Sequence, residues 1–220
     1  MMATPTHGSA LMQYCPACGH CAFRANSPKS FLCSRCGFIL YMNAAAAVAA
    51  LIESNGDLLL TVRAHNPSAG MLDLPGGFVD HQETIEAALV RELREELGVD
   101  IVAAMMGDRS TSPHSLSPHS TSPRSSSSLS QTNTSTHKYT TLTSCYVGSY
   151  PNTYHYRGIT YETVDMFYQI VLPHKPDLQA DDDVSDLIWV PKQEIPFDDI
   201  AFSSARDILQ QCYSSSTDAR

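Results

Sequence analysis

Two apolar runs, 44–52 and 58–62, flank an Asn55-Gly56 pair, and Asn-Gly between apolar runs is the strongest short-range sign of a hairpin. After a glycine-rich turn, residues 83–97 are filled with strong helix formers and are followed by Gly98, where a left-handed C-terminal cap falls. At 100° per residue Ile85, Ala88, Leu89, Leu93 and Leu97 share one broad face of that helix, and Glu92 and Glu96 fall inside the same sector. Alternating or apolar runs at 139–147, 164–172 and 187–190 predict further strands, and 203–213 predicts a closing helix. Strands interleaved with two amphipathic helices make this an α/β chain.

Between these elements, 107–137 carries three rough Ser-Pro-His/Arg-Ser units and a Ser/Thr tract with almost nothing apolar to bury. Such a stretch cannot offset the entropy of ordering, so a disordered insertion inside one domain is expected there. Only 17% of the 220 residues are charged, against 43% hydrophobic, and 14 basic face 23 acidic side chains for a net charge of -9. That balance argues against nucleic acid held by bulk electrostatics. The longest apolar run, 44–52, is far below the roughly 18 residues of a membrane helix, and the first residues lack the pattern of a secretory signal. The expectation is a cytoplasmic protein with no membrane partner.

Of the seven cysteines, Cys15, Cys18, Cys33 and Cys36 form two CxxC pairs fourteen residues apart, each followed by glycine, Gly19 and Gly37. This is the spacing of a closed, tetrahedral four-cysteine Zn²⁺ site, and it predicts a structural zinc ribbon over 1–43. His20 and Cys21 are spare soft ligands beside the first pair, while Cys145 and Cys212 have no partner spacing. The three basic residues of this region, Arg24, Lys29 and Arg35, against a zinc tetrathiolate of charge -2 leave about +1, too little for a phosphate-binding surface. Nucleic acid is therefore not an expected partner.

Carboxylates at Glu92 and Glu96, one turn apart beside an apolar face and next to Glu95, repel one another unless a cation neutralises them. An oxygen-rich set of this kind suits Mg²⁺ or Mn²⁺. The segment resembles the Nudix box, GX5EX7REUXEEXGU with U bulky and apolar. Counted from Gly77, Glu83, Arg91-Glu92-Leu93, Glu95-Glu96 and Gly98-Val99 fall on every fixed position. The lead-in, Gly70 to Gly77, is similar too, with Leu72 where an aromatic is often found.

The resemblance implies an α/β/α sandwich around a mixed sheet over 44–213 and a hydrolase of nucleoside diphosphates linked to another group. It assigns the divalent ion to Glu92, Glu95, Glu96 and a backbone carbonyl near Gly76, with Arg91 and Glu83 orienting the glutamates. A distal acid, Glu162 or one of Asp181, Asp182, Asp183 and Asp186, is the further candidate for base or ligand. Arg63 is a candidate phosphate contact, and Tyr154 and Arg157, in a tyrosine-rich run, for stacking a base and holding a phosphate.

A zinc ribbon ahead of such a domain is similar to the NADH pyrophosphatases, whose SQPWPFP-type motif survives only in outline at Ser149–Tyr154. NADH, ADP-ribose and related compounds all stay open as substrates. The other reading is a non-catalytic regulator that binds a nucleotide and uses the ribbon for nucleic-acid or protein contact. The resemblance also leaves a homodimer open.

Overall fold

The computed structural model describes residues 11–98 and 144–214. The segment 107–137, Val99 of the box and the predicted strand start at 139–143 lie outside the described residues.

Among the described residues, ten strands and two helices follow in the order β1 (Phe23–Ser27), β2 (Ser30–Cys33), β3 (Ile39–Tyr41), β4 (Ala45–Ser54), β5 (Asp57–Arg63), β6 (Leu72–Asp73), β7 (Gly76–Phe78), α1 (Ile85–Leu97), β8 (Ser144–Tyr156), β9 (Ile159–Val171), β10 (Val184–Pro191) and α2 (Ser203–Tyr213), with a 3-10 turn at Phe197–Asp199. The first three strands form a small antiparallel sheet. The others form a seven-stranded sheet ordered β10-β5-β4-β9-β8, with β6 on β5 and β7 on β4. It is mixed, because β4 and β9 run parallel while the remaining pairs are antiparallel.

Alternation along the strands sends side chains to two cores. Val48, Ala50 and Ile52 of β4 pack with Ala88, Leu89, Leu93 and Leu97 of α1 on one face. Leu51, with Leu58, Leu60 and Phe167, packs with Ala205, Ile208 and Leu209 of α2 on the other. The result is the expected α/β/α sandwich. Asn55 and Gly56, at φ of 53° and 91°, make the predicted two-residue turn. Arg157 and Gly158, at 48° and 81°, turn the β8–β9 hairpin in the same way.

β4 pairs with β5 only next to their turn, at Glu53↔Leu58 and Ser54↔Asp57. Further along, the edge of β4 is taken by β7, with Ala49 opposite Gly76 and Ala47 opposite Phe78. The two strands thus part company, and the segment Leu72–Phe78 threads between them. A cavity lined by β4, β5 and β7 opens at this split.

Candidate functional site

The start of α1 is set by Thr84, whose hydroxyl accepts from Ala87 N–H, and its end by Gly98 at φ 66°. Between the caps Ala88, Leu89, Leu93, Glu96 and Leu97 are buried, so the face drawn from the sequence is the one the helix presents to the sheet. Glu92, Glu95 and Glu96 line a cavity of about 310 Å³ together with Gly76, Gly77 and Arg91.

Gly77 lets this helix approach, and Gly76 lets β7 close on β4. A Cβ on Gly77 would stand 2.5 Å from the Glu92 carboxylate. A Cβ on Gly76, whose φ is 146°, would stand 2.1 Å from the Val48 carbonyl. Gly76 N–H donates to Glu96 Oε2 at 2.8 Å. Burial pushes the Glu96 carboxyl well above the usual carboxylate range, against the pull of that N–H. Burial also raises Glu92, with Arg91 opposing.

Arg91 is the hub. Its Nε and Nη2 donate to Glu83 at 3.1 and 2.9 Å, its Nη1 to Glu92 at 2.7 Å and Glu95 at 3.1 Å, and its Nη2 also to the Phe78 carbonyl at 2.9 Å. A guanidinium has five N–H donors, and all five are spent on the protein. The bonds to Glu83 raise Arg91 further and lower Glu83. Arg91 and Glu83 thus form one hydrogen-bonded unit with Glu92 and Glu95.

The cavity wall carries eight acids, Asp73, Asp80, Glu92, Glu95, Glu96, Asp165, Asp182 and Asp183, against Arg63 and Arg91. Oxygen donors in such excess fit a hard divalent cation. Glu96 is held on Gly76, while Arg91 Nη1 bridges Glu92 and Glu95; among the described residues, only the four cysteines form a group of three or more whose ligand atoms lie within 4.8 Å of one another.

Of the distal acids, Asp182 and Asp183 reach the cavity and Asp181 N–H binds the Glu96 carbonyl at 3.1 Å. Asp186 and Glu162 do not line it. Glu162 is exposed while Thr163 is buried, because strand alternation turns it away. Arg63 joins the cavity to a second one, donating to Asp73 at 3.0 Å and to the Pro67 carbonyl at 3.0 Å. Tyr154 lies in both cavities, and Arg157 in the second, 5.2 Å from the Tyr156 ring.

Sequence reasoning missed Asp73, Asn152, Asp165 and Ser204. Burial pushes Asp73 up to about 6 despite Arg63 beside it. Asp165 did carry a sequence signal, as an acid between apolar residues inside a strand.

In the N-terminal module Cys15 and Cys36 have their sulfurs 3.7 Å apart, as do Cys18 and Cys33. Sulfurs at about 2.3 Å from a central zinc lie about 3.8 Å apart, so the set fits that ion. Gly19 and Gly37, at φ 68° and 76°, close the two knuckles with N–H bonds to the Cys15 and Cys33 carbonyls. The N–H of Cys36 draws the Cys33 thiol down to about 7, while burial and the neighbouring Cys18 and Cys33 thiols push Cys36 up to about 12. Cys21 stays outside the cluster and His20 Nδ1 accepts from Ala22 N–H instead.

A mixed α/β/α sandwich whose acid-bearing helix abuts a double-glycine strand defines a class, and residues 42–138 match the family model of the NUDIX domain. The four-cysteine module lies ahead of that matched stretch. It is similar to an ADP-ribose pyrophosphatase of Methanocaldococcus jannaschii, 48% identical over 27% of this chain and 36% of that one. It is similar also to the NAD-capped RNA hydrolase NudC of Stutzerimonas stutzeri, 30% identical over 40% of this chain and 32% of that one. A CTP pyrophosphohydrolase of Escherichia coli is 50% identical over 24% of this chain and 40% of that one. The chain thus matches about a third of the length of these relatives. A NUDIX hydrolase from Nitrosomonas europaea has the same fold, with a TM-score of 0.57 and 22% identity over 93% of this chain and 92% of that one. Among the described residues no helix is long and apolar enough to cross a membrane.

Proposed function

We propose that this protein hydrolyses the diphosphate bond of a nucleoside diphosphate linked to another group, with Mg²⁺ or Mn²⁺ held by Glu92, Glu95, Glu96 and the Gly76 carbonyl. The observation that carries the reading is the approach of Glu92 and Glu96 to Gly76 and Gly77 inside an acid-rich cavity. Divalent ions in such a site supply Lewis acidity toward the phosphates and a more acidic bound water.

The chain's own residues do the rest. Arg91 and Glu83 set the glutamate positions without touching substrate. Arg63 has spent two of its five donors and offers the remainder to a phosphate. Asp182 and Asp183, at the rim, are the acids placed to take a proton from attacking water. Tyr154 and Arg157 extend the binding surface into the second cavity, where an aromatic face and a guanidinium suit a group beyond the diphosphate. The four cysteines hold a structural Zn²⁺ in a module over 1–43, and residues 44–213 form the hydrolase domain.

The relatives' names point to ADP-ribose, NAD-linked and CTP-type substrates. Incubation with Mg²⁺ and a panel of ADP-ribose, NADH, ADP-glucose and CTP, with products separated by chromatography, tests the reading. Release of mononucleotide is expected from the native protein and a drop of at least about a hundredfold in Glu96→Gln. Equal turnover in that variant rejects the metal assignment.

A further inference from the structure

The far wall of the cavity is built differently from the glutamate wall. Asp165, on β9, is only 9% exposed and lines the cavity. Its Oδ1 accepts from Thr163 Oγ1 at 2.6 Å, and its Oδ2 from Asn152 Nδ2 at 3.0 Å and Ser204 Oγ at 2.5 Å. Thr163 and Ser204 are 3% and 1% exposed. The three partners come from β8, β9 and α2, so three elements converge on one carboxylate, and each donor is neutral.

The metal assignment leaves this group unused. A carboxylate has about four lone-pair sites, and three are taken, which leaves one acceptor site on Oδ1. The Asn152 amide is turned with its nitrogen toward the acid, and among the described residues its own Oδ1 accepts no hydrogen bond. Two acceptor oxygens thus border the same cavity. Close by, Phe78 meets Tyr154 edge-on at 5.5 Å, and Phe202 lies 5.8 Å from Tyr154. Aromatic walls beside a fixed pair of acceptors fit a flat ring that carries N–H donors; a phosphate is repelled there by the carboxylate.

We infer that Asp165, held by Asn152, Thr163 and Ser204, reads the exocyclic amino group of the substrate's nucleobase, so that the protein selects adenine or cytosine over their carbonyl counterparts. The inference rests on the proposed nucleotide-cleaving function and adds base selection to it. A carbonyl in place of the amino group sets oxygen against oxygen, and a buried polar group without its partner is costly.

The test is calorimetric titration of native protein with AMP against IMP and CMP against UMP, with dAMP as a control for the ribose hydroxyl. Tighter binding of AMP than IMP, and of CMP than UMP, by at least about tenfold is expected. In Asp165→Asn the ratio falls below about threefold, because the new amide presents a donor. In Ser204→Ala, which keeps the carboxylate, the ratio persists. Equal binding of AMP and IMP by the native protein overturns the inference, as does an unchanged ratio in folded Asp165→Asn or discrimination against dAMP alone. Since binding is read without turnover, amino selectivity in a protein that cleaves nothing would refute the proposed hydrolysis and leave base recognition standing.

Discussion

Removing one donor from the Arg91 fork disturbs more than one contact, because the same group holds Glu83, Glu92, Glu95 and the Phe78 carbonyl. Lysine keeps the charge but cannot reproduce a planar five-donor fork. Arg91→Lys is therefore predicted to lower kcat/KM by about a hundredfold through misplaced glutamates while costing only about 1 kcal/mol of stability. Steady-state kinetics beside a thermal melt check it, and near-native turnover would show that Arg91 does not position the site. Gly77→Ala offers the complementary probe, since the added methyl must displace the Glu92 side chain. Loss of activity with little loss of stability is expected there. Gly76→Ala, whose methyl would collide with the Val48 backbone, should instead destabilise the fold by at least about 3 kcal/mol, read as a lowered denaturant midpoint.

At the level of elements, the buried Glu53 ties the β4–β5 hairpin to the rest of the sandwich. It accepts from Gln169 on β9 at 2.7 Å, from Lys192 just beyond β10 at 2.6 Å and from the Tyr213 hydroxyl on α2. Burial alone would raise this carboxyl, but Lys192, Tyr213 and Gln169 together hold it below the usual 4.5. A depressed folded-state pKa stabilises the protein above the unfolded value, and that contribution is lost as the pH falls through the folded one. The gap in stability between native protein and Glu53→Gln, about 1 to 3 kcal/mol at pH 7, should accordingly shrink below pH 4.5. Urea melts at pH 7 and pH 3.5 measure it, and a gap that widens in acid contradicts the sign.

How far the elements were legible follows the range of the forces that make them. The helix expected over 83–97 and the turn at Asn55-Gly56 rest on neighbours in sequence; the turn stands where the pattern placed it, and the helix ends at Leu97 as expected but starts two residues later, at Ile85, because Thr84 caps it. The expected run 203–213 is the observed α2. β8, by contrast, continues through Pro151 to Tyr156, and its extent is set by pairing with β9, which no local pattern encodes. The same reason hid Asn152, Asp165 and Ser204 as a group, since they meet only through strand register and the docking of α2.

For the molecule as a whole, the two sheets rest on cores of very different size. Residues 11–42 bury only Cys15, Phe23, Phe31 and Cys33 as a hydrophobic cluster, with Met12, Phe38, Leu40 and Met42 half covering it. A core this small does not hold a fold unaided. We predict about one zinc per chain by elemental analysis of native protein, and its loss, with loosening of β1–β3, in Cys33→Ser; a native protein free of zinc rejects the site. The larger sandwich should keep its own melting transition, because its two cores do not depend on the cysteines. The two metal sites of the proposal then differ in when they are filled. All three box glutamates already have partners within the chain, so the sandwich can finish folding with no ion in place and take up Mg²⁺ reversibly, turnover by turnover. The cysteine module rests on a core too small to stand unaided, and under the proposal its zinc would be taken up as the chain folds and kept thereafter. Scarcity of magnesium would idle this protein, whereas scarcity of zinc during synthesis would leave it unfinished.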